Sequence, residues 1–311
     1  MVPTFAVTSL GPSAHRALCE GARGRVVTVF ATSLHLAIAD AIVSVVAATI
    51  GNGPLNVLVG ETSAGPWRPH GMREGMAAVV AGGLLTIEDA AAFDLAHAGL
   101  WVPAPWPATW QPQRVNEALR VLAAEALPRL PADGLAAVIF GEPPTTGLGG
   151  ALARRALLAT ATISDWLAEV LEPGRAPEMS LAMAAQAAVH GLLGLGPGLT
   201  PSGDDLLAGL VAALRAAGAS EATAAMAQFI ADAPPDATTA LSRGWLAAAA
   251  EGLPVEALAD LIRAVLAGET SGFADALDRI DGMGHTSGWD MLAGATMGLA
   301  AAAAARNTPS T

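Results

Sequence analysis

The chain has 311 residues, 53% of them apolar and only 14% charged, a balance that excludes a disordered segment and leaves room for one large core or two domains. Its net charge of −12 includes 16 basic residues, all arginine, so a phosphate-backbone partner is disfavoured and nucleic acid is excluded as a ligand. Without lysine there is no Schiff-base chemistry and no Gly-Lys-Ser/Thr phosphate loop; with Cys19 as the single cysteine there is no internal disulfide and no thiolate metal site.

The opening residues Met1-Val2-Pro3-Thr4-Phe5 lack a basic region followed by a continuous apolar stretch, and the apolar runs near 76–87 and 291–305 are too short for a bilayer span. The expectation is a cytoplasmic protein with no membrane association. A mean hydropathy of +0.47 rests largely on alanine, which suits close helix packing, and part of that apolar surface is expected to be buried in an oligomer.

From Arg25 to Gly60 valine, isoleucine and threonine dominate, and 26–30, 41–46 and 55–59 read as strands, with Gly51-Asn52-Gly53-Pro54 as a tight turn before the last. The stretch 101–112 carries four prolines and three tryptophans, fits neither strand nor helix, and marks a domain boundary. Beyond it, 113–130, 147–171, 178–193, 203–217, 220–232, 236–251, 254–267, 271–281 and 288–305 have helical composition between Gly, Pro or Asp breaks. The predicted fold is therefore α+β, a small β-rich N-terminal domain over 1–110 followed by a larger, mostly α-helical domain over 111–311.

The densest segment is Gly194-Leu195-Gly196-Pro197-Gly198-Leu199-Thr200-Pro201-Ser202-Gly203-Asp204-Asp205, which runs into the apolar helix Leu206-Leu207-Ala208-Gly209. Ser202 in the N-cap place would put Asp205 three residues on, as in a capping box, and the preceding glycines could turn successive N–H groups toward an anion. An isolated Ser-x-x-Asp does no more than start a helix. Here Asp204 and Asp205 adjoin a buried apolar helix, a costly place for a carboxylate unless a ligand, metal or arginine compensates it. The pattern also recurs: Ser287-Gly288-Trp289-Asp290-Met291-Leu292-Ala293-Gly294 aligns without a gap, Ser287 on Ser202 and Asp290 on Asp205. Either two helical units are duplicated or two helix starts converge on one pocket. Gly209 and Gly294 favour convergence, because a solvent-facing glycine in a helix costs roughly 1 kcal/mol against alanine, whereas one at a helix contact allows close approach. Two positive helix ends meeting would attract a small anion.

Around this core, His285 can serve as acid, base or ligand, or simply be hydrogen-bonded in its turn. Thr238, Thr239, Ser242 and Arg243 offer hydroxyls and a guanidinium on one helix between the motifs, with Arg243 the candidate bidentate partner of a carboxylate or phosphate. His15, His35, His70, His97 and His190 show no ligand spacing and read as structural; Trp101, Trp106 and Trp110 read as packing at the domain junction.

The segments 194–205 with their Leu-Leu-Ala-Gly continuation, 51–54 and 284–290 together resemble the AllH subunit family of oxamate carbamoyltransferase. That resemblance implies purine-nitrogen salvage, in which oxalurate and phosphate exchange a carbamoyl group to give oxamate and carbamoyl phosphate, and it implies partner subunits. The residues are compatible with it. Carbamoyl transfer passes through a tetrahedral oxyanion, which N–H groups at 196–203 or 286–288 could stabilise. The expected catalytic residues are Asp205, Asp290 and His285, which move the proton. The expected binding set is Gly196, Gly198, Thr200, Ser202, Gly203, Asp204, Thr239, Arg243, Thr286, Ser287 and Gly288, with Asn52 from the N-terminal turn. Two other readings stand beside this one: a non-catalytic subunit that senses a small anion, and a hydrolase or lyase with magnesium or manganese held by Asp204, Asp205, Asp290 and His285.

Overall fold

The computed structural model describes residues 2–60, 67, 70–172, 174 and 177–307. The chain divides into two compact units, residues 1–103 and 104–311, parting inside the Pro- and Trp-rich stretch.

In the first unit nine strands follow one another: β1 (Thr4–Leu10), β2 (Arg23–Val29), β3 (Ser33–Ile38), β4 (Ala41–Ala47), β5 (Asn56–Val59), β6 (Ala77–Ala81), β7 (Leu84–Ile87), β8 (Ala91–Asp94) and β9 (Gly99–Leu100). The order is β5-β4-β3-β2-β6-β7-β8-β1-β9, and β1 also pairs antiparallel with β5, placing Val7 opposite Val59 and Leu10 opposite Val57. That pairing joins the two ends of an eight-stranded row into a closed barrel. Alternate residues fill it: Leu34, Leu36 and Ile38 on β3, Val43 and Val45 on β4, Val57 and Val59 on β5, and Leu85, Ile87 and Phe93 opposite them are all buried. Bulges at Val7/Ser9 of β1 and Val26/Thr28 of β2 supply the bending that closure needs. A short helix, α1 (Pro12–Ala17), follows β1.

The α+β class is overturned by this closure. The chain joins a β-barrel unit to a separate helical one, so strands and helices do not share one layered core. Local patterning pointed to three strands because β2, β4 and β5 carry the branched residues. Strands β6 and β8 are short and alanine-rich, and the β1–β5 pairing that shuts the barrel links residues about fifty positions apart.

The second unit holds ten helices among the described residues: α2 (Pro112–Ala126), α3 (Ala137–Phe140), α4 (Gly147–Val170), α5 (Met179–Leu192), α6 (Ser202–Ala216), α7 (Ser220–Ala231), α8 (Ala240–Ala250), α9 (Glu256–Ala267), α10 (Phe273–Asp281) and α11 (Ser287–Asn307). All but α3 lie within the segments of helical composition, give or take two residues. Of the fifteen residues of α6 only Arg215 escapes burial, so this helix is buried all round because it is central. Trp106 and Trp110 pack inside this unit, under Arg263 at 5.9 Å and Arg306 at 3.9 Å, and the Trp110 indole donates to Ala217 O at 3.3 Å.

Candidate functional site

Helices α6 and α11 lie side by side with their N-termini together, and the repeated motif is what brings them so close. A Cβ on Gly209 would stand 1.8 Å from Met291 O, and one on Gly294 would stand 1.8 Å from Leu206 O. Leu206 and Met291 are equivalent positions of the two copies, as are Gly209 and Gly294, so the contact repeats itself with the helices exchanged. The motifs' first glycines act alike against other neighbours: a Cβ on Gly203 would meet Leu192 O at 2.1 Å, and one on Gly288 would meet Ile280 O at 2.2 Å. Convergence of the two helix starts, inferred from the repeat, is the observed arrangement.

Ser202 is not the N-cap of α6. Pro201 holds that place, and the Asp204 and Asp205 amides both bond to its carbonyl. The Ser202 hydroxyl is thereby released to face the other motif, where it lies 3.5 Å from the Thr286 hydroxyl and hydrogen-bonds Asp290. Ser287 mirrors it. Its hydroxyl lies 2.9 Å from that of Thr200 and hydrogen-bonds Asp205. Each motif's aspartate is thus held by the other motif's serine.

Asp205 and Asp290 are 2% and 0% exposed, and on each the Oδ2 atom is buried with no hydrogen-bond partner among the described residues. Their environments differ in one respect. Asp290 Oδ1 accepts the Leu135 amide at 2.6 Å and the carboxylate also accepts the Ala136 amide, both from the loop before α3. Gly134 leaves room for this loop, since a Cβ there would come within 2.9 Å of Asp290 Oδ1. Burial pushes the Asp290 carboxyl up to about 6 against the pull of these donors. Burial drives Asp205 well above the ordinary carboxylate range, with Ser287 opposing and the charge of Asp290 adding to the rise.

Asp204 faces elsewhere. Its Oδ1 accepts the Gly194 amide at 2.9 Å and its Oδ2 accepts the Thr238 hydroxyl, and burial raises it despite these bonds. It ties the glycine-rich loop to the start of α8. Thr239 caps α8, accepting the Ser242 amide at 3.1 Å while its own hydroxyl donates to Leu199 O at 2.6 Å. Two of the amides expected to cradle an anion are engaged within the chain: Gly203 N–H on Leu195 O at 2.9 Å and Gly288 N–H on Met283 O at 3.2 Å.

The structure therefore gathers Thr200, Ser202, Asp205, Thr286, Ser287 and Asp290 into one cluster, with Gly203 and Gly288 packed behind it. The Gly196 backbone stands against Ser202, and Gly198 is exposed in the loop. Arg243 is exposed on α8, donates to Pro235 O, and acts on Asp204 only through its charge. His285 is exposed too, its ring 3.3 Å from Asp133. Asn52 belongs to the barrel unit, in the turn before β5. The set Asp204, Asp205, Asp290 and His285 does not converge, and among the described residues no group of three or more His, Cys, Asp or Glu side chains is placed to hold a metal ion. His35, in the barrel, bonds Ser44 Oγ at 2.8 Å and is lowered by burial to about 4; His190 bonds Phe229 O at 2.8 Å.

Two contributors escaped the sequence reading. The loop Gly134-Leu135-Ala136 is foreshadowed only by the turn signal Pro131-Ala132-Asp133-Gly134, and nothing local ties it to a residue 155 positions away. Thr238 was noted as a hydroxyl but not as the partner of Asp204.

The deciding comparison concerns this same region. Residues 192–299 match the family model described as oxamate carbamoyltransferase subunit AllH. The match begins in the last turn of α5 and ends within α11, spanning both motifs, and the resemblance read at those motifs is borne out over this stretch. It makes the region similar to a component of a carbamoyltransferase, described as a subunit and so as one member of an assembly. No solved structure matches the chain. Among the described residues no helix is long and apolar enough to cross a membrane.

Proposed function

We propose that the helical unit is the carbamoyl-handling part of an oxamate carbamoyltransferase, moving a carbamoyl group between oxalurate and phosphate with partner subunits completing the enzyme. The observation that carries the reading is the crossed pair: two buried aspartates, each tied to the other motif's serine, within the stretch that matches the AllH model. Carbamoyl transfer from nitrogen to oxygen needs one proton removed from the attacking phosphate and one delivered to the departing nitrogen. Two carboxyls in unlike surroundings suit that exchange.

In this reading Asp205 and Asp290 carry the protons. Thr200, Ser202, Thr286 and Ser287 connect them to the substrate, while the loop about Gly196 and Gly198, with Arg243 exposed on α8, receives the anionic ends. Asp204 and Thr239 hold that loop in place. The exposed ring of His285 leaves it outside the proton path.

The test is turnover by the purified full-length chain, alone and with its partner subunits, using carbamoyl phosphate as donor and oxamate as acceptor. A parallel thermal-unfolding series measures binding, since a ligand at 100 times its dissociation constant stabilises the folded state by roughly 2.7 kcal/mol. Stabilisation by carbamoyl phosphate or oxamate that is lost in Asp290→Asn supports the reading. If none of carbamoyl phosphate, oxamate, oxalurate or phosphate stabilises the wild-type chain and no turnover is found with partners present, the reading fails.

A further inference from the structure

We propose that Asp205 and Asp290 hold a single proton between them, so that the two motifs form one acid–base pair rather than two separate carboxylates. Four observations lead there. The helices bearing them touch one residue further on, at Leu206 and Met291, each against the other's glycine. Both side chains are almost wholly enclosed, and among the described residues the Oδ2 atom of each lacks a donor while the opposite serine serves each carboxylate. Among the described residues neither makes an ion pair with an arginine or histidine; Asp133 takes His285, Asp260 takes Arg263 and Arg279, and Asp278 takes Arg129. Two enclosed, unpaired negative charges that repel, as the charge of Asp290 does that of Asp205, are too costly to persist together, and one proton held on the pair removes a charge and supplies a donor inside the site.

The other charged groups nearby do not perform this task. Asp204, on the same helix, is occupied by Gly194 and Thr238 and adds repulsion to Asp205. Arg243 on α8 acts on Asp204. Asp281 on α10 accepts the Trp289 indole N–H at 2.8 Å. Asp133 and His285 pair with each other at the surface.

The hydroxyls give the pair a way out. From Asp205 the chain runs through Ser287 to Thr200, and from Asp290 through Ser202 to Thr286, each ending on a partly exposed threonine. This extends the carbamoyl-transfer reading and rests on it for its use. As a phosphate oxygen bonds to the carbamoyl carbon, the carbon–nitrogen bond breaks and its electron pair stays with nitrogen. One chain accepts the phosphate's proton, the other delivers the pair's own proton to that nitrogen, and the pair ends with one proton as it began.

The experiment is carbon-13 NMR of the full-length chain labelled at the aspartate carboxyls, titrated with pH in the absence of any substrate, with infrared detection of the protonated carboxyl band. Wild-type protein is expected to keep one protonated carboxyl at neutral pH and to lose it in an upper step distinct from the ordinary carboxylate titration. Asp205→Asn should abolish that upper step and Asp290→Asn should move it to lower pH, because the first removes the group that burial raises furthest and the second removes the neighbouring charge that adds to the rise. An upper step left unmoved in Asp290→Asn would mean that Asp205 titrates alone, and no protonated carboxyl in neutral wild-type protein would mean a fully ionised pair; either result overturns the proposal. The wild-type measurement stands even where a variant fails to fold. Absence of carbamoyl transfer would remove the reading of function and leave the titration to decide the shared proton on its own.

Discussion

The two copies of Ser-Gly-x-Asp-x-Leu-Ala-Gly are equal in how they pack and unequal in how they hold their carboxylates. Gly209 and Gly294 meet the opposite helix at the same 1.8 Å, but only Asp290 receives backbone amides, from Leu135 and Ala136, while the donors acting on Asp205 are hydroxyls. A second difference lies at the variable position. Asp204 in the first copy ties down the glycine-rich loop, and Trp289 in the second donates its indole N–H to Asp281. The repeat therefore sets a symmetric helix contact, and neighbours outside the repeat make its two acids chemically different. A pair with unlike acidities can give and take protons in one cycle, which a perfectly symmetric pair could not do as readily.

The symmetric half of this comparison breaks hardest. Gly209→Leu and Gly294→Leu each drive a side chain into a backbone carbonyl, and each is expected to destabilise the helical unit by about 3 kcal/mol or more, read by denaturant unfolding. Similar costs from the two would confirm that the contact is shared; a mild effect at either would show that the helices can part there.

The asymmetric half appears in pH dependence. Asp290 is raised from 3.8 in the unfolded chain to about 6 in the folded one, so the folded state holds the proton more tightly. Its contribution is fully present below about pH 4 and is lost as pH rises to about 6, on the order of 3 kcal/mol. Asp290→Asn should flatten that fall in an unfolding series across those pH values. For Asp205, raised well above the ordinary range, the loss extends to higher pH, and Asp205→Asn should flatten the upper part of the curve.

Smaller effects separate the remaining neighbours. Thr238→Val removes the hydroxyl on Asp204 and leaves a buried acceptor short, at about 1–3 kcal/mol. Trp289→Phe loses the bond to the exposed Asp281 and part of a fully buried indole, a change of about 1–3 kcal/mol in thermal unfolding. His285→Gln, at the surface against Asp133, should shift stability by no more than about 0.5 kcal/mol and leave turnover intact. A large loss of turnover there would return His285 to the proton path.

Legibility followed the range of the forces. Helices α4 to α11 announced themselves through composition and through Gly, Pro and Asp breaks, which act over one turn. In the barrel, β2, β4 and β5 were visible because valine and isoleucine mark them, whereas β6 and β8, made of alanine with one or two larger residues, were not. At the site, repetition disclosed Ser202, Asp205, Ser287 and Asp290. Residue type alone suggested Arg243 and His285, and the structure places both at the surface, the one bonded to Pro235 and the other to Asp133.

By itself the sequence determined that two like helix starts, each with a small residue at a fixed spacing, would seek each other, because a glycine within an apolar helix earns its place only where another backbone comes close. It also determined, by its lack of lysine and of cysteine pairs, which chemistries are absent. Tertiary structure alone decided that strands far apart in the chain shut into a barrel, and that each serine serves the other motif's aspartate. It likewise decided that Leu135 and Ala136 reach Asp290 and not Asp205. These depend on which backbone donors end up beside which acceptor, and burial turns that placement into acidity.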